Sequence, residues 1–273
     1  MKSFKEKVIV ITGAGSGIGR ALAVSFAKNG AFLALSDVNE KGLEETKDLC
    51  KNTSVFTSVF NVSKKEEFQK FAKAVVDAFG TVDIVINNAG VALGKSKLID
   101  LTYEEFEWLM GINFWGVVYG TKEFLPYLID KKEAAIVNIS SLFGLAGIAE
   151  QVPYCASKFA VRGLSESLRM ELMDTNVKVH SVHPGGIKTN IANNARVTSK
   201  ADAKEAKSTL EKFNETALIH TPEMAANVII KGIKSKQEKI MIGYETYIAD
   251  TIIRAMPEKY TKLFGAIMKQ QMG

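Results

Sequence analysis

Short runs of aliphatic and β-branched residues recur along the chain, and between them the apolar positions spread out to a helical period. Seven runs read as strands: KVIVITG from Lys7, AFLALSD from Ala31, SVFTSVFNV from Ser54, VDIVINNAG from Val82, AAIVNIS from Ala134, VKVHSVHPG from Val177 and KIMIG from Lys239. Most are almost continuously apolar, the pattern of strands covered on both faces. Each of the first six leads into a helical segment, directly or through a loop. This alternation predicts an α/β fold: a doubly wound parallel sheet of seven strands, right-handed crossovers and helices on both faces. The ligand crevice of such a sheet lies at the carboxyl ends of its strands.

Two stretches break the rhythm. Residues 190–220 are polar and charged with no strand pattern, which suggests surface helices near the carboxyl edge and either a substrate lid or a plain solvated excursion. From Tyr244 to Gly273, Ile252, Ile253, Met256, Tyr260, Leu263, Phe264 and Met268 recur at helical spacing. They predict an amphipathic terminal helix that docks on its own domain or a second subunit, covers the substrate pocket, or touches a membrane surface. The expected organisation is a catalytic domain over 1–243 and a helical extension over 244–273.

Composition narrows the class. The 273 residues suffice for a core without disulfides or metals, and 47% hydrophobic with 24% charged residues is ordinary for a globular protein. The net charge of +5 is spread along the chain without a Lys/Arg block, which argues against nucleic-acid binding. Cys50 and Cys155 lack CxxC spacing and give neither a disulfide framework nor a zinc pattern. His180 and His183 are oddly spaced in a strand, so they face opposite ways and cannot share a metal; no metal is expected. No run approaches the ~20 apolar residues of a membrane span, and the N-terminal run leads into a glycine loop instead of a cleavage site. A cytoplasmic protein is expected.

The first strand ends in TGAGSGIG, Thr12 to Gly19, and a helix begins at once. Glycines here allow a tight turn and close approach to a pyrophosphate, which the helix N-terminus attracts. Asp37 closes the second strand eighteen residues after Gly19. A carboxylate there accepts the hydroxyl hydrogens of an adenosine ribose and repels a 2′-phosphate, which favours NAD over NADP.

Further on, YCASK places Tyr154 and Lys158 one helical turn apart, thirteen residues after Ser141. With NNAG at Asn87 to Gly90, Asn113, ISS at Ile139 to Ser141 and PGGIKT at Pro184 to Thr189, the ordered set resembles the short-chain dehydrogenase/reductase family, a single-domain Rossmann fold, up to about residue 243. The resemblance implies an oxidoreductase moving a hydride between a nicotinamide and a CH–OH carbon. In it Tyr154 is general acid/base, Lys158 orients the nicotinamide ribose and, together with the positive nicotinamide ring, favours phenolate, Ser141 holds the substrate oxygen, and Asn113 anchors a proton-relay water. A free phenol titrates near 10, so lowering it toward neutrality takes about 1.4 kcal/mol per unit.

Cofactor positions carried by the same resemblance are Gly13, Ser16, Gly17, Ile18, Gly19, Asp37, Asn61, Val62, Asn87, Ala89, Gly90, Tyr154, Lys158, Pro184, Gly185, Ile187 (beside the nicotinamide ring) and Thr189 (at its carboxamide). Asn61 departs from the family's usual Asp-Val, which puts the adenine contact there in question. The stretch between the catalytic serine and tyrosine offers an apolar wall, with Phe143, Leu145 and Ile148 joining Ser141 and Tyr154 as expected substrate contacts. Such a wall suits a lipophilic alcohol, ketone or aldehyde. The competing readings are an NADPH-dependent carbonyl reductase and a non-catalytic dinucleotide sensor. Members of the family commonly pair through the helices carrying Asn113 and Tyr154, so a homodimer or homotetramer is expected.

Overall fold

The computed structural model describes residues 1–199 and 218–272. All seven apolar runs are strands: β1 Val8–Thr12, β2 Phe32–Asp37, β3 Val55–Val59, β4 Ile84–Asn87, β5 Ala134–Ile139, β6 Val177–Pro184 and β7 Lys239–Ile242. They form one parallel sheet in the order β3-β2-β1-β4-β5-β6-β7. The strand order reverses between β1 and β4, whose connections run to opposite sides. That point opens the crevice expected of a doubly wound sheet.

Successive strand residues point to opposite faces, and the core divides accordingly. Ile9 and Ile11 of β1 pack with Leu33, Leu35, Ile84 and Ile86 against helices α1 (Gly17–Lys28) and α8 (Pro222–Lys234). Their neighbours Val8 and Val10 pack on the other face with Val85 and Ile136, under α3 (Lys65–Phe79), α5 (Gly116–Leu128) and α6 (Val152–Glu171). Fully buried Phe124 lies edge-on to Phe68 and Phe71, at centroid distances of 6.4 and 6.1 Å. Of the other helices, α2 spans Glu40–Leu49, α4 Tyr103–Met110 and α7 Asn190–Asn193.

Asn113 does not sit inside one uniform long helix: α4 and α5 are joined by a π-turn at Gly111–Trp115 that carries it. The first turn of α4 is fixed by a capping box between Thr102 and Glu105. The terminal segment also departs from expectation, with two helices, α9 (Tyr244–Ala255) and α10 (Tyr260–Met272), in place of one. The cause is Pro257, which lacks an N–H and drives Met256 out of the helical region, to φ −135 and ψ 64. Of the suggested lid, residues 200–217 lie outside the described residues. Among the described residues, no helix is long and apolar enough to cross a membrane.

Truncating Phe124 to alanine should cost about 3–5 kcal/mol of unfolding free energy, because this fully buried ring packs on Phe68 and Phe71 of α3 and would leave a cavity. A urea midpoint unchanged from the parent would refute this view of the core.

Candidate active site

The glycine turn is laced to the end of β4. The Thr12 hydroxyl accepts the N–H groups of Asn88 (3.0 Å) and Ala89 (3.1 Å), while the Asn88 amide donates to the carbonyls of Thr12 and Gly13. Gly13 has φ +66, and a Cβ there would lie 2.7 Å from the Ala89 Cα, so this position has no room for a side chain. Helix α1 then starts at Gly17 without a side-chain cap from Ser16 and with no acidic residue in its first turn. Uncapped N–H groups and the positive dipole end suit an anion.

Asp37 lies beside this turn. Its carboxylate accepts the Gly15 N–H at 2.8 Å and the Asn39 N–H at 2.9 Å. Arg20 also sits close by, but its guanidinium is committed to the carbonyls of Gly15 and Gly42, the Thr46 hydroxyl and the Glu45 carboxylate. These residues fit a dinucleotide: backbone donors suited to a phosphate, and beside them a carboxylate suited to hydroxyl groups with the nearby cation already engaged.

Across the crevice, the ends of β4 and β5, the π-turn and the first turns of α6 bring Asn113, Ser141, Tyr154 and Lys158 together. The Ser141 hydroxyl lies near enough to the Tyr154 phenol to pull its pKa down, and its oxygen accepts the Phe143 N–H at 3.1 Å. The Lys158 ammonium is 5.5 Å from the centre of the Tyr154 ring and donates to the Ile139 carbonyl at 3.1 Å. Asn113 exchanges two hydrogen bonds with the Val91 backbone, at 2.8 and 2.9 Å. Its amide also reaches the Ser157 hydroxyl at 3.3 Å, tying the π-turn to α6. The Phe143 ring stands edge-on to Tyr154 at 5.9 Å.

Burial sets the charge state of this pair. In the protein by itself enclosure pushes Tyr154 up to about 12, and the nearby Ser141 hydroxyl only partly opposes this. Burial brings Lys158 down to about 8, so at neutral pH the pair is mainly a neutral phenol beside an ammonium. Cys155 is no thiolate either; burial raises it, and its sulfur accepts the Ile148 N–H at 3.4 Å.

The other expected positions fall into two groups. Gly13, Ser16, Gly17, Ile18 and Gly19 follow β1, Asp37 ends β2, Ala89 and Gly90 follow β4, and Pro184, Gly185 and Thr189 end or follow β6, so all lie toward the carboxyl edge of the sheet, with Thr189 close over Gly17 and Ile18 packed against the core. Asn87, Asn61, Val62 and Ile187 turn their side chains to structural work. Asn87 donates to Asn138 (2.8 Å) and Thr121 (3.1 Å) in a buried network that continues to Ser165. The Asn61 carbonyl oxygen accepts from both the N–H and the hydroxyl of Ser63, Val62 packs beside Gly116, and Ile187 is buried in the core. Among the substrate positions Leu145 is buried, while Phe143 and Ile148 are half-buried.

Several contributors are not legible from the sequence. His183, which the sequence offers only as a metal-ligand candidate, is buried with Nδ1 3.1 Å from the Ser141 carbonyl and Nε2 2.9 Å from the Ser181 hydroxyl. Ser140 donates to the Lys158 carbonyl at 2.8 Å. Thr12 and Asn88 stand inside recognisable motifs, yet their reciprocal bonding depends on the β1–β4 pairing.

A Rossmann-type sheet with a Ser–Tyr–Lys group at its crevice is the architecture of a dinucleotide-linked oxidoreductase. Residues 7–200 match the family model for short chain dehydrogenases, and the chain belongs to that family. It is 44% identical over 270 residues to the SadH protein of Mycobacterium tuberculosis, covering 97% of this chain and 96% of that one. The crystal structure of a short-chain dehydrogenase/reductase from Burkholderia phymatum in complex with NAD superposes with a TM-score of 0.87 at 30% identity, over 94% of this chain and 96% of that one. An alcohol dehydrogenase from the archaeon Thermococcus sibiricus, complexed with 5-hydroxy-NADP, matches with a TM-score of 0.74 at 28% identity, over 87% and 96% of the two chains.

The buried histidines predict an acid sensitivity. Burial lowers His180 and His183 to about 4, whereas in the unfolded chain they titrate near 6.5. Between those values the unfolded state binds more protons, so stability falls as pH drops through the window, by up to about 1.4 kcal/mol per pH unit for each imidazole. Urea denaturation from pH 7 to pH 4.5 should show this slope, and His183→Gln should reduce it. An identical slope in the variant would contradict the buried, neutral state of His183.

Proposed function

We propose that the protein is an NAD-dependent dehydrogenase that interconverts a lipophilic alcohol with its ketone or aldehyde, with Tyr154 as general acid/base. The observation that carries this reading is the Lys158 ammonium 5.5 Å from the centre of the Tyr154 ring, with the Ser141 hydroxyl near the phenol, beside an anion-receptive glycine turn. A bound nicotinamide supplies the hydride acceptor and, when oxidised, a positive charge near the phenol.

The chain's own residues do the rest. The first turn of α1 holds the pyrophosphate, Asp37 the adenosine ribose hydroxyls, and Lys158 the nicotinamide ribose. Thr189 reaches the carboxamide. Ser141 and Tyr154 grip the carbinol oxygen, and Tyr154 takes its proton during oxidation or returns it during reduction. Lys158 stabilises the resulting phenolate, and Asn113 supports the route by which the proton reaches solvent. Leu142, Phe143 and Ile148 are half-buried around the reacting end and offer an apolar wall. Tyr260 at the start of α10 approaches to 4.0 Å from where a Gly147 side chain would begin, which supports a terminal segment that borders the substrate site. The NADPH-dependent reductase is the weaker reading, since Arg20 is already held by four partners.

Initial rates with NAD and with NADP, over alcohols graded from short-chain to long-chain and sterol, test the activity. Turnover should rise with apolar area and require NAD. Tyr154→Phe should still bind NADH while losing at least ~10²-fold in kcat. Near-normal turnover in that variant would remove Tyr154 from proton transfer, and silence of the parent across the panel despite NADH binding would favour a dinucleotide sensor.

The cofactor preference has its own variant. Asp37→Ala should relax discrimination against NADP by removing the charge that repels a 2′-phosphate. A preference unchanged from the parent would show that other groups set it.

A further inference from the structure

After β6 the chain must cross the crevice through Pro184-Gly185-Gly186, and two consecutive glycines provide no side chain to hold this segment. The anchor comes from β7 and α9. Gly243, at φ +94, turns the chain so that Glu245, in the first turn of α9, reaches back. One carboxylate oxygen of Glu245 accepts the Gly186 N–H at 3.1 Å, and the other lies 3.0 Å from Nε2 of His220. A side chain on Gly185 or Gly243 would collide with this carboxylate, so both glycines make room for it.

His220 holds the same segment from its other side. Its N–H donates to the Gly186 carbonyl at 3.0 Å, and its own carbonyl accepts the Lys188 N–H at 2.8 Å. Ile187 and His220 form a parallel bridge. One residue beyond Lys188, the Thr189 side chain lies 3.1 Å from where a Cβ on Gly17 would stand. A continuous set of contacts therefore runs from Glu245 and His220 through Gly186 to Thr189 and the start of α1. Both clamp residues lie beyond residues 7–200, which the family model matches.

We propose that Glu245 and His220 are positioning residues that hold Gly186–Thr189 against the nicotinamide half of the bound dinucleotide. This inference rests on the dinucleotide reading above. Neither residue takes part in proton or hydride transfer. They fix a glycine-rich backbone that would otherwise have to be ordered each time a cofactor binds, and that ordering would weaken its affinity.

The test compares two probes. NADH carries the nicotinamide half, and ADP-ribose carries the adenosine and pyrophosphate without it. Both affinities are measured by calorimetry for the parent, Glu245→Ala, Glu245→Gln and His220→Gln. Removing the carboxylate that holds both the Gly186 N–H and the His220 ring should weaken NADH binding by roughly ten-fold or more in Glu245→Ala, with a matching rise in KM for NAD, while ADP-ribose affinity stays at the parent value. Glu245→Gln retains an acceptor for Gly186 and should fall in between, as should His220→Gln; these two variants carry the test if Glu245→Ala does not fold. Equal losses for both probes would mean a general loosening of the fold, and unchanged NADH affinity would mean no clamp; either overturns the proposal. If the parent binds ADP-ribose but not NADH, or neither probe, the nicotinamide reading itself fails and the clamp with it.

Discussion

One buried ammonium organises the centre of this protein. Lys158 is 3% exposed, and the downward pull on its pKa measures how poorly its surroundings replace water. The sequence around it is shaped to hold that charge. The end of β5 offers the Ile139 carbonyl to the ammonium, and the Ser140 hydroxyl ties down the lysine's own carbonyl. A side chain at Gly144 would strike Ser140 and come within 2.7 Å of the same carbonyl. At Gly90 a Cβ would stand 3.4 Å from Nζ and 3.3 Å from the Asn113 oxygen. The ISS and NNAG sequences thus share one requirement, which is room and polar partners for a cation at the meeting point of β4, β5 and α6.

The same enclosure explains why the phenol is not already ionised. Enclosure opposes phenolate at Tyr154 more than its surroundings support it, so the free protein keeps the proton on the phenol. On the proposed reading, activation waits for the positive charge that arrives with an oxidised cofactor. The phenolate fraction is then greatest when the site is loaded, and the free protein carries no stray phenolate.

How much is legible in the sequence depends on the range of each interaction. All seven strands are visible there, because a sheet covered on both faces needs near-continuous apolar runs. So is the glycine turn with Asp37, which β1–β2 pairing brings together within a short stretch of chain. The Ser–Tyr–Lys spacing is legible because helix geometry sets it locally. By contrast, Glu245 meets Gly186 from fifty-nine positions away and His183 meets Ser141 from forty-two, contacts that exist only once β6 is in the sheet. Asn87 and Asn138 look like motif and sequon residues, yet Asn87 donates to Asn138 and Asn138 to Ser165 in the interior, where Asn138 is fully buried. The break at Pro257 has a visible cause that the apolar periodicity around it masks.

The π-turn sets a different kind of limit. A turn of this type closes its hydrogen bonds one residue later than an α-helix, so the stretch 111–115 stores a surplus residue within an otherwise regular rod. Losing one residue there would let the rod become uniform and would rotate α5 by about 100° relative to α4. Asn113 and Gly116, which meets Val62, could not then both keep their places. Chain length between Tyr103 and Leu128 is therefore under as strict a constraint as residue identity. A one-residue gap there, in a comparison of related chains, signals a displaced Asn113 even where the asparagine itself is retained.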